Sequence, residues 1–164
     1  MHDGWPDRLI VRPLTRSDAH QVASWQYDGP WAIYDLAAAD DPPNAADGYT
    51  AVADGDTGRI VGFFCTGAEA RVPGLDAEPD VIDLGVGMDP RWVGKGHGMD
   101  FGGTVLEYLR RDNPATPIRA AIQAWNLRSR KLVRRLGFVE RDQHHCVQNG
   151  RDTTYIVAIL SVAR

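Results

Sequence analysis

Apolar and polar positions change period several times along the chain, and each change marks an element. Leu9-Ile10-Val11-Arg12-Pro13-Leu14 predicts an opening strand. Thr15-Arg16-Ser17-Asp18 then offers helix caps, with Val22 and Trp25 on the face turned to a core. Residues 37–48 are rich in Ala, Asp and Pro and read as a surface loop. Residues 49–53 and 59–66 are two strands around Asp54-Gly55-Asp56-Thr57-Gly58, a hairpin turn. Residues 67–80 form a polar loop with a Pro73-Gly74 turn. Residues 81–88 are a strand, apolar apart from Asp83 and carrying Gly85 and Gly87, and Pro90 ends it because proline has no N–H for the ladder. Phe101, Val105, Leu106 and Leu109 make a helical stripe. Residues 118–124 are a strand, and Asn126 to Leu136 is a helix that Gly137 can close. Two last strands flank Asn149-Gly150. The order predicts a mixed sheet, α+β or α/β, in a single domain over residues 1–164.

Composition narrows the class. The 164 residues are 43% apolar, enough for one core and too apolar for disorder. No run approaches the roughly 18 apolar residues of a membrane span. Met1-His2-Asp3-Gly4-Trp5-Pro6-Asp7 lacks the basic-then-apolar pattern of a secretion signal. Cys65 and Cys146 make neither a disulfide framework nor a metal spacing, so no metal is expected and the thiols point to a reducing cytoplasm. The net charge of −4 argues against broad nucleic-acid binding and is compatible with a cationic partner. A monomer or a homodimer is equally open.

The densest chemistry follows the strand at residues 81–88. Gly94, Gly96 and Gly98 fall at every second position, directly before the helical stripe. Glycine there permits positive φ and close approach of a ligand to the backbone. The start of the helix presents unpaired N–H groups and the positive end of its dipole, so a phosphate or pyrophosphate is the natural guest, against a plain tight turn as the alternative. The spacing matches neither the dinucleotide fingerprint nor the P-loop. Upstream, Trp25, Tyr27, Trp31 and Tyr34 alternate with Asp28 and Asp35. They are either rings that pack a lid onto the core or a wall that attracts an ammonium group. The helix after Asn126 carries Arg128, Arg130, Lys131, Arg134 and Arg135, which are either a solvated face or partners for phosphate.

Pro90-Arg91-Trp92-Val93-Gly94-Lys95-Gly96-His97-Gly98 resembles the acyl-CoA pyrophosphate loop of the GNAT superfamily of N-acetyltransferases, whose signature is Gln/Arg-x-x-Gly-x-Gly/Ala. Aligned on Gly96 and Gly98, the first position is Val93, a departure; Arg91-x-x-Gly94-x-Gly96 fits two residues earlier. The later register is preferred because Gly-Lys-Gly-x-Gly before the helix is a frequent form of the loop. Asn126-Leu127-Arg128-Ser129 through Leu136-Gly137-Phe138 resembles the family's later motif, in which an Asn starts a helix that ends in Gly-Phe. The resemblance implies a mostly antiparallel central sheet, flanked by helices and splayed around acyl-CoA. It implies transfer of acetyl from acetyl-CoA, by direct attack, to an amine that is a small molecule or a protein amino group.

The resemblance also assigns roles. Val93, Gly94, Lys95, Gly96, His97, Gly98 and Met99 would hold the pyrophosphate, and Lys95 would act through its backbone. Val86, Gly87 and Met88 would line the pantetheine, with the Met88 N–H on the thioester oxygen where the strand bulges. Asn126 and Ser129 would contact the cofactor, and Trp25, Tyr27, Trp31, Tyr34 and Asp35 would shape the acceptor site. Asp83 is the leading candidate base, or else a residue satisfied by its neighbours; Asp35, His144 and His145 are others. Many family members carry a Tyr as acid seven residues after the motif Asn, and here that position is Val133. The thiolate then leaves with another donor or with none. That departure keeps open an acyl-CoA-binding sensor without catalysis, and the glycine loop alone would also suit an unrelated nucleotide-phosphate binder.

Overall fold

The structure, a computed structural model, describes residues 3–35 and 43–162. Its elements are β1 (Leu9–Pro13), α1 (Arg16–Ala23), β2 (Tyr49–Asp54), β3 (Ile60–Thr66), β4 (Ile82–Met88), α2 (Gly98–Asp112), β5 (Ile118–Gln123), α3 (Leu127–Arg135), β6 (Val139–Gln148) and β7 (Arg151–Leu160). The seven strands follow the order β1-β2-β3-β4-β5-β7-β6 and are mostly antiparallel, with β4 and β5 parallel. The mixed α+β architecture expected from the sequence is the one observed. Of the loop expected at residues 37–48, residues 37–42 lie outside the described residues, and Ala45–Asp47 form a 3-10 turn.

The chain divides into two compact units, Met1–Cys65 with Val86–Val105, and Thr66–Gly85 with Leu106–Arg164. In the first unit β1, β2 and β3 form an antiparallel meander in which Val11 pairs with Val52 and Thr50 with Phe64. Val22, Trp25, Ala51 and Ile60 pack as a buried cluster beneath it. A capping box starts α1: Asp18 donates its N–H to the Thr15 hydroxyl (3.0 Å), and the Thr15 N–H donates to the Asp18 carboxylate (2.8 Å). Helix α2 presses Phe101 against β3 so closely that a Cβ at Gly62 would lie 2.3 Å from its ring and 2.7 Å from the Gly87 carbonyl oxygen. Glycine at 62 is therefore a packing requirement.

In the second unit β7 pairs with β5 over residues 155–160 and with β6 across the Asn149-Gly150 turn. Both turn residues have positive φ (52° and 76°), as a tight hairpin demands. Among the described residues the edge of the sheet on this side is β6, because β7 is taken on both sides. Burial explains the order: Tyr155, Ile156, Val157 and Ala158 of β7 are buried, whereas β6 alternates half-buried and exposed residues. The pairing of β4 with β5 joins Ile82 to Ile118 and Asp83 to Arg119. Helix α3 carries its cations largely outward, but Arg130 is fixed by two bonds to Glu140 (2.9 and 3.1 Å) and one to the Ala124 carbonyl.

Candidate functional site

The glycine loop has the backbone its sequence predicts. Gly94 and Gly96 take φ of 76° and 87°, values that side chains rarely adopt, while Gly98 is already helical. A Cβ at Gly96 would meet nothing within 4 Å among the described residues, so that face of the loop is open. The first intrahelical bond of α2 runs from the Phe101 N–H to the His97 carbonyl (3.0 Å). The N–H groups of Gly98, Met99 and Asp100 precede it and lie at the positive end of a helix of 15 residues. An anion of phosphate size suits this arrangement, and the open face admits it without a side chain to displace. Lys95 is exposed, with its ammonium 5.9 Å from the Trp92 ring centre.

The side chain of His97 is held by residues the sequence reading passed over. Trp5 stacks flat on its ring (4.3 Å between centres, 6°) and Trp92 meets it edge-on. His97 Nε2 lies 2.6 Å from an Asp3 carboxylate oxygen, and this bond holds the Asp3 carboxyl below its ordinary range. Trp5 also donates its indole N–H to Asp100 in the first turn of α2 (2.8 Å). The available signal was Trp5, a large aromatic residue in a mostly polar N-terminal stretch.

At the end of β4 the first unit gathers a second set of groups. The Asp89 N–H donates to the Val61 carbonyl of β3 (2.9 Å), which turns the Met88 carbonyl to the opposite edge. There the Tyr27 hydroxyl donates to it (2.7 Å). In an extended residue the N–H and C=O share an edge, so the Met88 N–H faces the same way. The Tyr27 backbone N–H donates in turn to Asp35 (2.8 Å). Burial, with the nearby charges of Asp89 and Asp35, pushes the Tyr27 phenol well above its usual range, so it stays a neutral donor. Asp89 is buried and caps the turn Pro90–Trp92 through the Arg91 N–H (2.9 Å). Tyr27 thus joins Met88 to one carboxylate, that of Asp35.

Several expected roles change. Gly87 fits either a bulge or a close approach, and the structure shows the close approach: a Cβ there would lie 2.4 Å from the Phe63 ring. Trp25 is 6% exposed and stacks on Phe63, which makes it core and not an acceptor wall. Trp31 and Tyr34 sit half-buried on the 3-10 turn Gly29–Tyr34. Val86 is exposed.

In the second unit, Asp83 is buried, at 4% exposure. One oxygen accepts from Arg119 Nε (2.6 Å), the other from Arg71 (3.0 Å) and again from Arg119 (3.2 Å). A carboxylate so occupied is a structural anchor and not the base. His144 and His145 each direct one ring nitrogen, to the Pro73 carbonyl (2.7 Å) and the Thr154 hydroxyl (2.9 Å). Asn126 is buried and caps α3 by accepting the Ser129 N–H (3.2 Å). Val133, at the place of the usual Tyr, lies in α3, half-buried.

The sequence of residues 8–139 matches the family model of the acetyltransferase (GNAT) domain. No curated protein matches the sequence. Many solved structures share the fold, and three illustrate it. A GNAT-family acetyltransferase from Bacillus anthracis superposes with a TM-score of 0.72 at 14% identity, over 95% of this chain and 96% of that one. A chimera of spermidine N-acetyltransferase SpeG from Vibrio cholerae and hSSAT gives 0.64 at 16%, over 93% and 94%. The yncA protein of Salmonella typhimurium, solved with its cofactor acetyl-CoA, gives 0.58 at 19%, over 95% of both chains. At such identities the likeness is one of fold.

Proposed function

The chain belongs to the GNAT acetyltransferase family, and from that premise we propose that it is an acetyl-CoA-dependent N-acetyltransferase acting on an amine, working as one domain in a cytoplasmic setting that keeps Cys65 and Cys146 as thiols. The observation that carries the reading is the open glycine loop, with Gly94 and Gly96 in the left-handed region and three N–H groups ahead of the first bond of α2. Acetyl-CoA, when bound, supplies an acetyl thioester. The backbone from Val93 to Met99 would hold the pyrophosphate, and Val86 and Gly87 would flank the pantetheine.

The Met88 N–H would polarise the thioester oxygen, a substantial contribution from a donor that needs no reorganisation. Tyr27 fixes it by engaging the Met88 carbonyl. Asp35 replaces Asp83 as the candidate base: it sits one tyrosine away from Met88 and can take the proton of the acceptor ammonium directly or through a water. Tyr27, Trp31, Tyr34 and Asp35, without Trp25, form the acceptor side, and their charge and rings favour a cation. With Val133 in place of an acid, the thiolate leaves with a proton from water or as the anion. Thermal unfolding with and without acetyl-CoA, beside Gly96→Trp, tests the reading. Saturation at a hundred times Kd should stabilise the parent by about 2.7 kcal/mol and leave the variant unmoved. No shift in the parent would end the proposal. Thiol release across a panel of amines then separates the enzyme from an acyl-CoA sensor.

A further inference from the structure

We propose that Asp3, Gly4 and Trp5 form a latch that sets the glycine loop before coenzyme arrives, so that the N-terminal segment is a positioning part of the acetyl-CoA site. The inference rests on the loop being that site. A loop with two left-handed glycines loses much backbone freedom when it is ordered. Its one aromatic side chain, His97, is therefore the handle by which it can be held. Trp5 covers one face of that ring and is itself 7% exposed; Trp92, 5% exposed, meets its edge. Asp3 fixes what rotation remains through Nε2, and its other oxygen accepts the Trp5 N–H (3.1 Å), so the two contacts form one unit. Gly4 makes the bend possible with φ of 90°, its Cβ position 3.5 Å from the Trp92 ring.

The same Trp5 reaches past the loop to α2. Its indole N–H on Asp100 engages a carboxylate whose charge would oppose an anion at this helix start. Contacts to His97 and to Asp100 bracket Gly98 and Met99, whose N–H groups face the proposed pyrophosphate. Holding both sides prepays the ordering of the loop, which is how preorganisation raises affinity.

The test compares the parent with Trp5→Ala, Trp5→Phe and Asp3→Asn by calorimetric titration with acetyl-CoA, steady-state kinetics and amide exchange of the unliganded loop. Trp5→Ala should weaken acetyl-CoA binding roughly tenfold. Its loss should fall on KM for acetyl-CoA, not on kcat or on KM for the amine. Trp5→Phe keeps a stacking ring and should recover part of the affinity. Asp3→Asn, at an exposed residue that the core does not need, should give roughly a threefold loss. Exchange at residues 94–100 should quicken in Trp5→Ala. A parent that does not bind acetyl-CoA overturns the reading of the loop and the latch with it. A parent that binds, with Trp5→Ala and Asp3→Asn both folded and binding equally well, overturns the latch alone.

Discussion

Strand β4 carries two kinds of order at its two ends. At its start Asp83 is buried between Arg119 and Arg71, and Arg119 is further bound to Glu78 (3.1 Å) and to the Asp76 carbonyl (2.8 Å). At its other end the strand holds no charge of its own. Gly87 lies against Phe63, and the Met88 carbonyl takes a phenol. The first arrangement uses every strong side-chain group for pairing, so nothing is left to do chemistry. The second fixes the strand through packing and through one face of its backbone, and it leaves carboxylates at the rim. The base must therefore be sought where charge is not already spent.

The largest test of that contrast is at the charged end. Asp83→Ala leaves Arg119 buried with only part of its pairing and should destabilise by about 3–5 kcal/mol in urea unfolding. Asp83→Leu with Arg119→Met should recover most of this, because two apolar groups replace two charges. Turnover per folded molecule should stay at the parent value in the double variant. A loss of catalysis well beyond the loss of folded protein would return Asp83 to the chemistry.

At the other end, Gly87→Ala forces a methyl group into the Phe63 ring and should cost about 1–3 kcal/mol. Combined with Phe63→Ala it should cost less than the sum of the two changes, since the clash goes with the ring. Tyr27→Phe is smaller in stability, about 1 kcal/mol for one hydrogen bond. Its sharper readout is kinetic: a fall in kcat of roughly tenfold, or about 1.4 kcal/mol of barrier, with KM for acetyl-CoA little moved. If kcat held and only Tm fell, Tyr27 would be a core residue and nothing more.

Much of this molecule was legible in the residues. The strands, the three helices, the Asn149-Gly150 hairpin and the glycine loop all declare themselves by local pattern, because each depends on neighbours within a few positions. What stayed hidden depends on partners far along the chain. Asp83 looked reactive because Arg119 is 36 positions away, and nothing local announces the pair. Trp5 had no assigned role because His97 and Asp100 lie more than 90 positions on. Gly87 showed that something came close; only the fold says that it is Phe63. Trp25 had two readings, on the core face with Val22 and at the acceptor side with its aromatic neighbours, and the packing bears out the first.

The smallest expected effect concerns Asp18, a buried carboxylate of the first unit that, like Asp83, is paired with arginine. It is paired with a single guanidinium, that of Arg12, and that partner is partly exposed (24%). Burial pushes the Asp18 carboxyl up, but the hydrogen bonds from Arg12 and from Thr15 outweigh it, and the net shift is downward. A carboxyl lowered in the folded state adds stability that is complete above its unfolded value of about 3.9 and is lost as pH falls through the lower folded value. Asp18→Asn keeps an acceptor for the Thr15 N–H and removes the charge, so it should cost about 0.5–1 kcal/mol near neutral pH. Unfolding measured from pH 7 to pH 2 should find that gap constant down to about pH 4 and closing below it. A gap that persisted unchanged into strong acid would mean that Asp18 acts by shape and capping alone, and that the first unit draws nothing from charge where the second is built on it.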